Sequence, residues 1–444
     1  MKFLIVFVLP ALALASGCAP YRYHSAPVSP PALAASLEAR SLDDAGLRSW
    51  MGQVVKPSTW PMAEWDLNTL TLAAYYFNPA MDMARTNAAV ADAAIKTAAM
   101  KPNPSVGADA GYETAAESPY LLGFDFSLPI ETAGKRGYRI AEATHLSEAG
   151  QVQVAETAWA VRSGVRAALV DLLFAEKTAV LLHEQESLQN RYVDLLEARF
   201  QVGEIPLPEV TAARIDLTNL RQALRAAEGQ VGTVRAALAA AVGIPLSGLA
   251  GKTMSWTGIV QPPVLGALPA PGIRATAVEN RLDVQRALAQ YEAAQSRLQL
   301  EVARQYPDID LGPGYAYEEG VHLISLRLGT VLSVRNRNEG PIAESEAQRK
   351  AAGAQLLATQ SAVIAQTDKA LAQYRAAYAV LEEARRSTAQ ADEQRRTAYQ
   401  WLTSGEADQL TAVSADIQTA IAERARLDAL HQTQLALGSL EDAL

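Results

Sequence analysis

The spacing of apolar residues predicts long helices in two parts of the chain. Four residues of the first part fall at i, i+4, i+7 and i+8, on one helical face: Val165, Leu169, Leu172 and Leu173. Similar spacing recurs in the second part at Val363, Ala370, Tyr374 and Leu381. No proline lies between Pro129 and Pro206, or after Pro341. We therefore predict helices at about 139–201, 208–242, 341–402 and 407–440.

The first of these helices is much longer than a typical helix of a compact domain. At 1.5 Å per residue, it would extend over roughly 90 Å. The mean helix of globular proteins has only about 11–12 residues. A helix of this length fits a coiled coil or the wall of a tube better than a compact domain.

Alternating apolar and polar residues predict strands between the helices. Phe124, Phe126 and Leu128 would point to one side of a strand, and Asp125 and Ser127 to the other. In the second half, Ile324, Leu326 and Leu328 would point to one side of a strand in the same way. Ser325 and Arg327 would point to the other side. Partner strands are indicated by Val106, Ala108, Ala110 and Tyr112, and by Ile309 and Leu311. The predicted strands are about 105–112, 122–130, 308–317 and 322–334.

These strands admit two interpretations. Strands with apolar residues outside and polar residues inside are typical of a transmembrane barrel. The same alternation would also suit a soluble hairpin with one face packed on a core. The pattern of the strands alone leaves both open.

Internal repetition divides the mature chain into two halves. The sequence 101–106 parallels 304–309, so that Pro104 pairs with Pro307 at an offset of 203. Residues 139–143 parallel 341–345, and Gly203-Glu204 parallels Gly405-Glu406, both at an offset of 202. Three anchors at nearly one spacing predict a duplicated unit. We place the first repeat at 61–260 and the second at 273–444, joined by a proline-rich linker at 261–272.

Composition and motifs argue against several classes of function. The formal net charge is -9 and no long basic run occurs, which argues against nucleic-acid binding. The sequence Gly248 to Thr253 resembles a phosphate loop but has Leu246 where the first glycine should lie. The five histidines show no short metal-ligand spacing, and no catalytic motif is present. We therefore predict no enzyme activity, no cofactor and no metal site.

The N-terminus has the features of an export signal and a lipid anchor. Lys2 precedes an apolar stretch from Phe3 to Leu14, which predicts a signal peptide at 1–17. The sequence Ala15-Ser16-Gly17-Cys18 resembles a bacterial lipobox, so cleavage before Cys18 would make that thiol the acylation site. Residues 18–60 would then form a lipid-anchored segment. Ala19, in place of the aspartate that retains such lipoproteins in the inner membrane, implies sorting to the outer membrane. The alternative is an ordinary signal peptide with an incidental cysteine.

A membrane crossing would need several copies of this chain. No apolar run of about 18 residues follows the signal, so any crossing must use a closed β-barrel. Four strands per chain cannot close a pore, because small barrels need about eight. Three copies would supply twelve strands.

The order of these motifs resembles the TolC family of outer-membrane efflux proteins. The resemblance rests on Asn78-Pro79, on Pro102-Asn103-Pro104 and on the glycine between the long helices of each half. The segment from Leu128 to Arg136 is similar to the one that enters the first long helix in the CzcC-like, metal-exporting branch. The resemblance implies a mainly α protein with a small β part. Its trimer would form a twelve-stranded outer-membrane β-barrel, continued by a periplasmic α-helical barrel.

The function implied by the resemblance is that of a passive exit duct. The homotrimer would dock onto a periplasmic adaptor (membrane fusion) protein and an inner-membrane pump of the RND type. The CzcC-like segment favours heavy-metal cations as cargo. A duct for drugs or other small molecules is one alternative, and a periplasmic coiled-coil scaffold or adaptor without a pore is another.

Two sets of residues follow as candidate sites. The adaptor would contact the tips of the helical hairpins, at Val202, Gly203, Glu204, Ser404, Gly405 and Glu406. The pore would be faced by strand residues of both halves, at Asp125, Ser127, Ser325 and Arg327. The second tip departs from the family pattern, because Thr411 and Ser414 stand where TolC itself has carboxylates. The gate of that protein therefore cannot be transferred residue by residue.

The lipobox generates a direct prediction. Cells expressing the protein should incorporate labelled palmitate into it, and Cys18→Ser should abolish the incorporation, because Cys18 is the chain's single cysteine. Labelling that survives this substitution would rule out Cys18 as the acylation site.

Overall fold

A computed structural model describes residues 22–54, 60–114, 117, 119–259, 261–267 and 272–444. The predicted signal peptide and Cys18 lie outside these ranges, as does part of the predicted proline-rich linker. The chain divides into two compact units, residues 1–40 and 41–444. In the first unit, helix α1 spans Pro30–Glu38 and starts with a proline, whose fixed φ suits the first helical turn.

The second unit begins with α2, which precedes the first repeat, and continues with the elements of that repeat. Helices α2, α3 and α4 span Ala45–Met51, Leu67–Phe77 and Pro79–Ala98, and the short strand β1 spans Glu64–Trp65. Strands β2 (Ser105–Tyr112) and β3 (Tyr120–Ile130) form a hairpin. The long helices α5 and α6 then span Lys135–Gln201 and Leu207–Val242, and a short strand β4 follows at Thr253–Met254.

The second repeat has the same order of elements. Helices α7 and α8 span Ile273–Asn280 and Leu282–Ala303. Strands β5 (Ile309–Glu318) and β6 (Val321–Thr330) form the second hairpin. Helices α9 and α10 span Glu339–Ser404 and Gln409–Ala443. The long helices of the two repeats match closely in length, with 67 and 66 residues for α5 and α9, and 36 and 35 for α6 and α10.

Two element boundaries differ from the sequence prediction for identifiable reasons. Helix α5 begins at Lys135 and not near 139, because Ala133 and Gly134 both adopt positive φ and turn the chain directly into the helix. Strand β6 ends at Thr330 and not near 334. Its last residue pairs with Ile309, the first residue of β5, so no partner extends further.

The largest core lies where α3 fits against the long helices of the first repeat. Trp65, Leu70, Leu169 and Leu238 are fully buried there. The apolar residues that predicted α5 are buried as well: Val165, Leu169, Leu172 and Leu173. Small residues allow close approach elsewhere, since Ala88 of α4 lies against Gly150 of α5. A second cluster holds α5 on another side, where Val170 and Phe174 are buried with Leu427 of α10. The hydrophobic effect thus fixes the middle of α5 from more than one side.

Two contacts between distant segments were not predicted. The pair β1–β4 is parallel and joins Trp65 to Met254, and beside it Lys252 forms an ion pair with Asp43 at 2.6 Å. The described part of the linker packs on α9, where the hydroxyl of the buried Tyr374 donates to the carbonyl of Pro263 at 2.6 Å. Burial, with a smaller contribution from Tyr378, raises the pKa of Tyr374 to about 12.

A cluster of ionic hydrogen bonds joins the first hairpin to the helices. Arg139 binds Glu131 through both nitrogens of its guanidinium end, at 2.5 and 3.2 Å, and also donates to the carbonyls of Ala98 and Met100 at 3.1 Å. Arg136 donates to the carbonyl of Ala99 at 2.7 Å. These carbonyls terminate α4, where no intrahelical donor is available to them. We call this cluster the junction.

The junction also connects the two hairpins. Lys135 lies 2.7 Å from Asp308, which accepts a further hydrogen bond from the backbone N–H of Thr132. Burial alone would raise the pKa of Asp308. These two hydrogen bonds, with the positive charges of Lys135 and Arg139, outweigh burial and hold the pKa below its ordinary value. The equivalent site of the second repeat uses different groups, since the amide of Asn338 donates to the buried carboxylate of Glu301 at 3.0 Å.

We expect Arg139→Ala to loosen the junction. The substitution removes the bidentate ion pair and leaves carbonyls of α4 without donors, which should cost about 1.5–3 kcal/mol of local stability. Hydrogen exchange of the amides in the first turns of α5 measures this loss. Arg225→Ala is the matched control, because Arg225 forms only an exposed i,i+3 pair with Glu228. An exchange rate at the junction equal in both variants would contradict the assigned role.

Candidate functional site

The register of the hairpins assigns every strand residue to a face of one sheet. The four strands are hydrogen-bonded in the order β2-β3-β5-β6, and all neighbours are antiparallel. Residues that pair directly across strands point to the same side. Leu128 pairs with Leu311, which pairs with Leu328, and Phe126 pairs with Val106. The apolar residues of both halves therefore form one continuous surface, which we call the apolar face.

The apolar face is exposed. The side chains of Phe124, Leu326 and Leu328 are 47%, 72% and 73% accessible. Contiguous apolar surface of this kind marks an interaction site or a membrane surface on a folded protein. Nothing in the described part of the chain covers it.

Aromatic residues gather at the hairpin end of the apolar face. Tyr112 and Tyr120 meet edge to face, with centroids 5.6 Å apart. His322 stacks on Tyr315, and the Tyr315 hydroxyl lies 2.6 Å from its Nδ1. Tyrosines at the margin of an apolar surface are typical of the boundary between lipid and water. The sequence analysis had identified only Tyr112 among these residues.

The opposite side of the sheet is the polar face, and it carries all four residues predicted to face a pore. Asp125 pairs with Gly314, which pairs with Ser325, so these residues form one row. Ser127 pairs with Ser105, and Arg327 with Gly312.

Sequence reasoning missed three further carboxylates of the polar face, and one of them is Glu318, which pairs with Val321. Asp109 pairs with Gly123, and Asp310 with Gly329. Asp109 lies between Ala108 and Ala110, so the alternation that placed Asp125 also applied to it.

The sheet ends in two open edges. Within the described chain, β2 and β6 each have a neighbour on one side only. An open strand edge presents unpaired N–H and C=O groups, which favour pairing with another chain.

The predicted tip residues lie at turns between long helices. Gly203 follows α5 with φ of 82°, and Gly405 follows α9 with φ of 81°. Residues with a Cβ atom rarely adopt this conformation, so glycine permits the tight reversal in each repeat. All six predicted tip residues are exposed: Val202, Gly203, Glu204, Ser404, Gly405 and Glu406.

An ion pair that sequence reasoning did not predict brings the two tips together. Arg199, near the end of α5, contacts the carboxylate of Asp408 from the second repeat. Asp408 also caps α10 by accepting a hydrogen bond from the Thr411 N–H at 2.9 Å. The other carboxylate near Arg199 is Glu204, at 3.9 Å. The two hairpin turns therefore form one surface, although they are distant in sequence.

Two further features are absent from the described residues. No group of three or more His, Cys, Asp or Glu side chains lies close enough together to hold a metal ion there. None of the helices in these ranges combines the length and apolar character that a membrane crossing requires.

Comparison with known proteins shows which proteins this chain resembles. Residues 74–244 match the family described as outer membrane efflux protein. A curated relative is the cobalt-zinc-cadmium resistance protein CzcC of Cupriavidus metallidurans, 26% identical over 216 residues. That match covers 48% of this chain and 50% of the relative. The chain thus matches about half the length of this relative.

Solved structures share the fold over most of the chain. The outer membrane protein VceC of Vibrio cholerae is 20% identical, with a TM-score of 0.65 over 85% of this chain and 95% of VceC. The outer-membrane channel OprN is 16% identical, with a TM-score of 0.69 over 96% of this chain and 97% of OprN. The resemblance to outer-membrane efflux proteins that the sequence predicted is confirmed, and the fold is mainly helical with a small sheet.

The two faces of the sheet generate a prediction about substitutions. Phe126→Arg should cost about 2–4 kcal/mol if the apolar face meets lipid near the membrane midplane, because a charge must then be desolvated. Ser127→Arg, one residue further on the polar face, should cost much less. The amount of folded protein recovered from outer membranes measures the difference. Equal tolerance at the two positions would contradict the assignment of the faces.

Proposed function

We propose that this protein is the outer-membrane exit duct of a tripartite efflux system. The observation that carries the proposal is the sheet, with its exposed apolar face, its polar face and two open edges. Such a sheet satisfies its backbone in a membrane only when its edges are paired. The helices of 67 and 66 residues follow the two hairpins of this sheet along the chain and suit a long conduit.

Three copies would close the sheet into a barrel. Strand β6 of one copy would pair with β2 of the next, which yields twelve strands and removes every edge. The apolar face would then contact lipid and the polar face would line the lumen. The long helices would continue the lumen into the periplasm as an α-helical barrel.

The duct is passive in this proposal. It needs no cofactor and catalyses no reaction, and energy comes from an inner-membrane pump of the RND type. A periplasmic adaptor connects the pump to the exposed tips. The lipid on Cys18 would anchor each copy to the outer membrane, in addition to the barrel.

Heavy-metal cations are the proposed cargo. The relative CzcC is described as a cobalt-zinc-cadmium resistance protein, which supports this choice. The polar face adds electrostatic support, because Asp109, Asp125 and Asp310 give it an excess of negative charge over Arg327. The CzcC-like segment provides Glu131, Lys135 and Arg136 of the junction, so its residues are engaged in structural contacts. It supports a metal cargo only through its similarity to a metal-exporting relative. Export of drugs or other small molecules is the second candidate.

Deletion of the gene tests the proposal. The deletion strain should become sensitive to cobalt, zinc or cadmium and accumulate the metal, and the intact gene should restore resistance. The double variant Glu204→Arg/Glu406→Arg should fail to restore it, because reversed charge at the tips disturbs the adaptor contact. Glu383→Arg is the control, since Glu383 is exposed on α9 about 30 Å from the tip.

Assembly must be measured beside resistance. The double variant and the control should both give heat-modifiable trimers in outer membranes. In a background without Cys18, cysteines at Val202 and Ser404 should crosslink to the adaptor. If the double variant kept full resistance and neither cysteine gave a crosslink, the proposed contact between the tips and the adaptor would be refuted. Unchanged sensitivity to metals and to drugs after deletion would refute the export function.

A further inference from the structure

All glycines of the four-stranded sheet lie on its polar face. Among the described strand residues of this sheet they are Gly107, Gly111, Gly123, Gly312, Gly314 and Gly329. The apolar face carries alanine or larger residues at every position of these strands. Glycine weakens a strand because it adds backbone entropy to the unfolded chain and offers no side chain for packing. Its restriction to one face therefore calls for a physical reason.

Backbone conformation does not supply that reason. None of the six is among the glycines with positive φ in the described chain. Gly312 alone lies against a neighbouring backbone, since a methyl group there would collide with the carbonyl oxygen of Phe126. At the other five positions, the missing side chain matters more than the conformation.

Polar side chains occupy the space that two of these glycines leave. A methyl group at Gly107 would lie 2.9 Å from Cγ of Asp125, and one at Gly314 would lie 2.8 Å from the Ser325 hydroxyl oxygen. Both distances are shorter than van der Waals contact permits. Asp125 and Ser325 therefore lie flat over glycines of the adjacent strands and do not project from the sheet.

The fit is looser at a third position, which provides an internal comparison. A methyl group at Gly123 would lie 3.4 Å from Cβ and 3.5 Å from Oδ2 of Asp109, close to ordinary contact. This site has room for a methyl group while the side chain of its neighbour stays in place.

We infer that Gly107 and Gly314 widen the lumen at the level of the sheet, by letting Asp125 and Ser325 lie along the wall. The inference rests on the proposed function, and it identifies residues that limit the size of the cargo. In a trimer each glycine occurs three times around the lumen. A bore kept wide in this way passes hydrated or chelated ions without binding them.

Conductance of the full-length trimer in planar bilayers tests the inference. Gly107→Ala should push the Asp125 carboxylate off the wall, lower the single-channel conductance and reduce the largest polyethylene glycol that enters. Gly314→Ala should act likewise by displacing only a hydroxyl, which keeps the test available if the first variant fails to assemble. Gly123→Ala should change the conductance least. Ala108→Val, one residue from Gly107 on the apolar face, should leave it unchanged.

A second substitution distinguishes displacement of the Asp125 carboxylate from narrowing of the lumen by the added methyl group itself. In the Gly107→Ala background, Asp125→Ala should restore the conductance towards that of Asp125→Ala alone, because no carboxylate remains to be displaced. Assembled Gly107→Ala and Gly314→Ala trimers with wild-type conductance and size limit would overturn the inference. A wild-type trimer that forms no pore would instead overturn the proposed function.

Discussion

In the second unit, the sheet is joined to two helices through the binding of one guanidinium group. Arg139 lies in the first turns of α5, holds Glu131 after the last residue of β3, and donates to carbonyls at the end of α4. Three elements that lead in different directions thus share one rigid contact. Because Arg is planar and remains charged at any physiological pH, it can fix this geometry in a way that lysine cannot. This contact ties the end of β3 to the start of the long helix.

The two repeats differ in the contacts that hold the start of the long helix. The first uses Arg139 with Glu131, whereas the second uses the amide of Asn338 on the buried Glu301, which also binds Arg304 at 2.6 Å. Burial would raise the pKa of Glu301, yet its hydrogen bonds lower that pKa, so the carboxylate remains an acceptor. The segment that most resembled the metal-exporting branch is therefore engaged in joining sheet and helix.

The sequence pattern predicted those features that depend on residues close together in the chain. Proline-free stretches with helical spacing correspond to α5 and α9, and alternation placed Asp125 and Ser325 on one face. Glycine at the tips was readable because the reversal requires positive φ. The pair β1–β4 escaped notice because strands of two residues have no periodicity. The contact between Arg199 and Asp408 also escaped, because it depends on how two repeats pack, and no local pattern encodes that arrangement.

The parallel pair of β1 and β4 has a consequence for the history of the chain. It brings Trp65 and Met254 side by side, so the first repeat starts and finishes at nearly the same place. A unit with adjacent ends can be copied in tandem without stretching the copy or displacing its neighbours. Duplication of the gene segment would then add helices around the circumference of the proposed helical barrel and leave the length of that barrel unchanged. The near-equal helices of the two halves are the record of such an event.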